Sequence, residues 1–199
     1  MRIFLGILIG SVLMISGCGT STSSVASIDR LEGQVERKSG NAFVPAKVKD
    51  PLISGEAVKT AEKSSASLLF STGSEVQVNA ESYFEIGSDQ KIGRQESGTA
   101  IYRIEKDKSG VQVETPHGNT TVLGTVFCLQ VTGTATTILV EEGKVRFTSK
   151  SGTAQQDVGP GQKLVASDTT ALGKPESVDL AEREALFNPN SKGPAINQR

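Results

Sequence analysis

Few side chains in this chain of 199 residues have reactive chemistry to offer: two cysteines, Cys18 and Cys128, and one histidine, His117. A thiol acts as nucleophile or metal ligand only as the thiolate, so it needs an activating neighbour. Cys128 sits between Phe127 and Leu129 with no histidine nearby in sequence, which predicts a buried or half-buried packing thiol. His117 lies in Pro116-His117-Gly118-Asn119, a turn composition that predicts an exposed turn residue. One histidine is too few for a multi-histidine zinc site within the chain. Glu141-Glu142 has the makings of a carboxylate pair, but Gly143 follows it, and the pair reads as the solvated tip of a hairpin. Gly159-Pro160-Gly161-Gln162-Lys163 lacks phosphate-loop spacing and leads into a strand rather than a helix. Acidic residues are scattered, without the spacing of a calcium loop. No convergent set of catalytic groups emerges, so the expectation is a non-enzymatic protein without cofactor or metal.

Cys18 is different because of what precedes it. Arg2 is followed by an apolar, uncharged run over residues 3–15, and then by Ser16-Gly17-Cys18. A charged start, a short apolar core and small residues at a cleavage point describe a secretory signal peptide. The run is short for a bilayer-spanning helix, which needs about 20 apolar residues. The block resembles the lipobox of bacterial lipoproteins. That resemblance implies removal of residues 1–17, acylation of Cys18 and a lipid tether rather than a membrane span. Each buried acyl CH₂ contributes ~0.8 kcal/mol, so two or more chains hold stably. Residues 18–27 then read as the lipidated cysteine and a small, polar, flexible spacer. Gly19 stands where some bacteria place an aspartate for inner-membrane retention, and by that analogy the outer membrane is favoured. With Cys18 acylated, Cys128 has no partner within the chain, so it is a free thiol or forms an intermolecular disulfide.

Charge and composition narrow the field further. The chain has 21 basic and 22 acidic residues, without the basic footprint of a nucleic-acid binder or a polybasic cluster for anionic lipid. About 180 residues remain after the leader, enough for one domain with a sizeable core. Twenty-one glycines punctuate short apolar runs, and from residue 28 the apolar period is two. Val76 and Val78 share a face, as do Phe127, Leu129 and Val131, and Val145 and Phe147. Turn signals recur every eight to twelve residues or so, as in a sandwich, roll or solenoid. Residues 62–65, 88–98 and 106–110 are polar and read as exposed loops. One helix is expected over residues 180–187, capped by Asp179, with Leu180 and Phe187 turned to the sheet. The fold expectation is therefore all-β: stacked short strands in a β-roll or β-helix-like sandwich with two similar halves, plus one short C-terminal helix. The division is residues 28–170 for the β domain and 171–199 for the helix and a disordered tail.

Several strand–turn signatures in this order resemble FecR-type domains. They are Gly33-Gln34-Val35; Leu52-Ile53-Ser54-Gly55-Glu56-Ala57-Val58-Lys59-Thr60; the strand pair around Gly73-Ser74; Val113-Glu114-Thr115-Pro116; Gly124-Thr125-Val126-Phe127; Val140 to Val145; and Gly159 to Val165. No one of these is specific; their sequence along the chain is what resembles the family. One departure is Leu123, where many relatives carry arginine before the Gly-Thr pair. The family's regulatory members span the membrane and carry a cytoplasmic anti-sigma segment, and their outer domain senses the signalling domain of an outer-membrane receptor. Only Met1 and Arg2 precede the apolar run, so direct sigma-factor regulation is not expected. The resemblance implies the fold and a binding role in the cell envelope.

The functional expectation is a lipid-anchored, non-enzymatic binding module of the bacterial envelope. It would meet the membrane through its lipid and recognise a protein partner in signalling or envelope assembly, with no nucleic-acid partner and no evident small-molecule substrate. Strand addition at an exposed sheet edge is one route to such a partner; a merely wet sheet face is the plainer account of its polar side chains. The rival class is a structural envelope lipoprotein contacting peptidoglycan or polysaccharide.

Overall fold

The computed structural model describes residues 23–88, 91–106, 110–168 and 171–187. The leader, Cys18 and the stretch expected to be a tail lie outside them. In chain order the strands are β1 (Ala26–Glu32), β2 (Val35–Ser39), β3 (Ala42–Pro45), β4 (Pro51–Leu52), β5 (Ala57–Thr60), β6 (Ser65–Phe70), β7 (Glu75–Val78), β8 (Tyr83–Ile86) and β9 (Lys91–Ile104). There follow β10 (Val111–Thr115), β11 (Gly118–Val122), β12 (Thr125–Val131), β13 (Thr136–Glu142), β14 (Val145–Ser149), β15 (Gln155–Val158), β16 (Gln162–Ala166) and β17 (Glu176–Ser177), then α1 (Leu180–Phe187). Among the described residues the protein is all-β with one short helix toward the C-terminus.

The strands form two sheets. Sheet A runs β4-β1-β6-β7-β9-β12-β13-β16-β17. Sheet B runs β3-β2-β5-β8-β9-β10-β11-β14-β15. Every ladder is antiparallel except β9 with β10. From β10 onward the chain lays down one hairpin in sheet B, the next in sheet A, and so on in alternation. Most apolar strand positions point inward, and residues of both sheets form one core, including Ile28, Val58, Phe84, Tyr102, Phe127 and Phe147. The Tyr102 ring stacks on Phe127 at 4.7 Å and meets Phe84 edge-on at 6.2 Å. Phe84 comes from sheet B and the other two from sheet A, so this trio ties the sheets together.

Strand β9 belongs to both sheets. Its first part pairs with β8 and β10, and its second with β7 and β12. The polar stretch 88–98, expected as a loop, is thus mostly strand from Lys91 onward. Gln95 occupies an inward position and is fully buried, and this polar residue in a core slot hides the period of two. Its cost is met by hydrogen bonds: Tyr102 Oη donates to Gln95 Oε1 at 2.7 Å, and Gln95 Nε2 donates to the carbonyls of Gly98 at 2.8 Å and Leu129 at 3.2 Å. The passage between sheets runs through Gly98, at φ 83°, where a Cβ would stand 2.5 Å from Ser82 Cα; only glycine fits.

Two other expectations change. Glu142-Gly143 does not close a hairpin, because β13 pairs in sheet A and β14 in sheet B. The turn carries the chain from one sheet to the other, and local composition cannot tell a crossover from a hairpin. In the stretch 62–65, Ser64 is buried and its Oγ accepts from the Gln34 amide at 2.9 Å, and Ser65 opens β6.

Candidate functional site

Sheet edges are where a sandwich of this kind can take on another chain. Sheet A ends in two-residue stubs, β4 and β17. Sheet B ends in four-residue strands, β3 and β15. Among the described residues strand β15 pairs only with β14, and its Asp157 is held by Arg146 through two hydrogen bonds of 2.7 and 3.0 Å. Those bonds and the Arg146 charge lower the Asp157 carboxyl below the usual carboxylate range. A charged, polar edge of this type discourages pairing.

Strand β3 has the opposite character. Among the described residues it pairs only with β2, and it carries Ala42-Phe43-Val44 before Pro45. Phe43 is 40% exposed and meets Tyr83 edge-to-face at 6.2 Å. Tyr83 reaches this outer face from β8, across β2 and β5. Beside the end of β3 lies a cleft of about 540 Å³ whose lining includes Leu31, Val35, Pro45, Ala46, Lys59 and Ala61. Pro45 has no N–H, so an added strand is limited to a short ladder along residues 42–44. Specificity for an added strand then falls to the aromatic pair and the cleft. Edge strand, exposed Phe43 on half-buried Tyr83, and adjoining cleft form the candidate protein-docking site. A signal was present in Ala42-Phe43-Val44-Pro45, an apolar run closed by proline, which marks an edge strand.

The residues singled out for chemistry that lie among the described ones fall elsewhere, and the structure does not bring them together. Cys128 lies mid-strand in β12, as expected, 1% exposed. Its neighbours are Ile101 and Leu139 in register on β9 and β13, under Leu186 and Phe187 of α1. Burial pushes the thiol up to about 12, so the thiolate is disfavoured at physiological pH. Helix α1 starts as expected, with the Glu182 amide donating to Asp179 Oδ1 at 2.8 Å. Leu180, expected to pack, is instead 75% exposed. The helix rolls to put Leu186 and Phe187 down, because Arg183 reaches Glu141 and Lys163 reaches Glu182. Glu141 is thereby the anchor of an ion pair, not half of a carboxylate pair.

His117 is not exposed. It is a buried turn residue, since the Pro116-His117 turn between β10 and β11 folds against the start of β13. Thr115 Oγ1 donates to the Gly118 carbonyl at 2.9 Å, and Thr136 Oγ1 donates to Thr115 Oγ1 at 3.0 Å. A hydroxyl has one proton, so Thr136 Oγ1, 2.9 Å from His117 Nδ1, accepts from it. The imidazole is thus a donor at the head of a hydroxyl relay that ends on a carbonyl, a structural brace for the turn. It borders a polar cleft of about 400 Å³ with Lys150 and Asp168, themselves 3.5 Å apart.

Comparison with known proteins bears on what this scaffold is. Residues 56–146 match the family model described as FecR protein. The FecR resemblance is shown over those residues, a little under half of the chain. The matched residues run from the turn before β5 to the start of β14, and so include the strand β9 that joins the sheets. Among solved structures, the chain resembles a candidate anti-sigma factor from Parabacteroides distasonis, crystallised at 1.65 and 2.50 Å resolution. Each comparison gives a TM-score of 0.57 at 16% identity over 66% of this chain. The match spans 64% and 63% of those chains, just under two thirds of their length. At that identity the likeness is one of fold. No curated protein matches the chain.

Proposed function

We propose that this chain is a non-enzymatic binding module of the bacterial envelope. In this reading it is lipid-anchored at Cys18 and recognises an envelope protein in a signalling assembly by strand addition at β3. The observation that carries the reading is the FecR-domain match on a sandwich whose sheet B ends in an apolar, aromatic edge. The structural neighbours, named as candidate anti-sigma factors, favour signalling over a purely mechanical role. The Arg2, apolar-run and Ser16-Gly17-Cys18 leader favours export and acylation, with the outer membrane as the preferred site by analogy.

The test is in-cell photo-crosslinking from position 43, with position 121 on the polar face of sheet B as the control. Capture of one envelope protein from position 43 alone supports the reading. Equal capture from both positions, only cell-wall fragments, or nothing above background overturns it; recovery of wall fragments points to the structural-lipoprotein alternative. Cys18→Ala is expected to move the chain from the membrane to the soluble fraction; retention on the membrane would rule out the lipid anchor.

A further inference from the structure

The outer face of sheet A bears an apolar strip that the β3 reading leaves unused. Ile101, Cys128 and Leu139 stand side by side on β9, β12 and β13, each no more than 1% exposed. The next residue in the row is Lys163 on β16, opposite Leu139. What covers the strip is the C-terminal segment: Val178, Leu186 and Phe187. That cover is slight. Helix α1 is eight residues long and none of them is itself buried, and a helix of about two turns has little stability of its own. Two partly exposed ion pairs fix its orientation, Arg183 with Glu141 and Lys163 with Glu182, the latter at 2.5 Å; pairs of this exposure hold weakly and are screened by salt. The strip therefore has a seat for a helix and matching charges at its margin, acid on β13 and base on β16.

We infer that this strip is a helix-docking groove whose resident, α1, leaves and returns while the sandwich stays folded, and that it accepts in trans a partner helix of the same pattern. The pattern is an acidic residue, then a basic one, then two apolar residues three and four places beyond the base, as Glu182, Arg183, Leu186 and Phe187 stand here. The base meets Glu141, the acid meets Lys163 and the apolar pair covers Cys128. Local opening of this kind belongs to the least stable parts of a fold. The groove is separate from the β3 edge, and each idea is tested without the other.

Cys128 is the reporter. In the full chain carrying Cys18→Ser it is the sole thiol, and a soluble aromatic disulfide reagent reads its exposure. Labelling of the folded protein is expected to run faster than global unfolding followed by circular dichroism on the same sample. Leu186→Glu should raise the labelling rate roughly a hundredfold. Glu141→Gln should raise it by about two- to fivefold and flatten its salt dependence. Val113→Ala, which weakens the core away from α1, should leave it unchanged. A labelled peptide with the sequence of residues 176–187 should bind the Leu186→Glu chain and not the parent, whose own helix competes at high effective concentration. Labelling that tracks global unfolding across all variants, or a peptide that fails to bind the opened chain, overturns the inference.

Discussion

The outer faces of the two sheets have the same backbone and opposite chemistry. On sheet A the central row is Ile101, Cys128 and Leu139, fully buried under α1. On sheet B the corresponding positions hold Gln112, Thr121, Arg146 and Asp157 in one row, and Glu114, Asn119, Thr148 and Gln155 in the next. That face stays exposed or half-buried. Both faces alternate with valines and phenylalanines that point inward, so the core does not distinguish them. What differs is that sheet A has apolar outward positions on three adjacent central strands, and apolar area out of water favours a covering element. The face that needs a cover recruits α1, and the face that does not leaves its edges free to meet another chain.

The largest effect expected from this contrast is on stability. Leu139→Ala should destabilise the protein by about 2–4 kcal/mol, because it opens a cavity beneath α1. Thr121→Ala on sheet B should stay within about 0.5 kcal/mol. Denaturant midpoints of the two variants give the comparison directly, and equal losses would mean that the faces are not energetically distinct.

Next is alkaline pH. The Cys128 thiol titrates at about 12 in the folded protein against an ordinary value of 9.0. The folded state holds its proton where the unfolded chain has lost it, so stability is unaffected below about pH 9 and falls as pH rises toward 12. The slope is at most about 1.4 kcal/mol per pH unit for one group. Cys128→Ala should lack this component, read as the difference between the two melting curves from pH 8 to about 11; parallel curves would show that the thiol is not held dry.

A smaller stability change, with a large change in binding, is expected at the edge of sheet B. Phe43→Ser should cost less than about 1 kcal/mol, since the ring is part-exposed, yet abolish the crosslink from neighbouring positions on β3. A lost crosslink together with an unfolded protein would be uninformative about docking, so circular dichroism accompanies the assay.

The smallest effect is at the opposite edge. The folded Asp157 carboxyl is lowered by Arg146, so its contribution is present above the unfolded carboxylate pKa and is lost as pH falls through the lower folded value. Asp157→Asn should remove that acid dependence only at low salt, the pair being exposed. A dependence that persisted in high salt would point to a buried cause.

Most inward positions were legible because a half-buried strand alternates, and Val76, Val78, Phe127, Leu129, Val131, Val145 and Phe147 are all buried. The Asp179 cap was legible too, since capping is a local contact. Strand β9 was not, because Gln95 fills a core slot and its partners, Tyr102 and the Leu129 carbonyl, lie 7 and 34 residues away. His117 was misplaced for the same reason: its partner Thr136 lies 19 residues downstream. The β3 edge was only half legible. Composition marked an edge strand, but the Phe43–Tyr83 contact joins residues on strands that are not neighbours in the sheet.

Alternation, turn residues and the Asp179-capped run of helix formers by themselves determined that this is an all-β chain with a helix near its end, and which of the apolar strand residues face inward in most strands. Both are local properties, set by the two-residue repeat of a strand and by glycine and proline at the bends. Only the tertiary structure decided which hairpins join which sheet, that β9 serves both, and that α1 closes over Cys128. Those outcomes depend on pairs of groups far apart in sequence, whose energies exist only once the chain has brought them together.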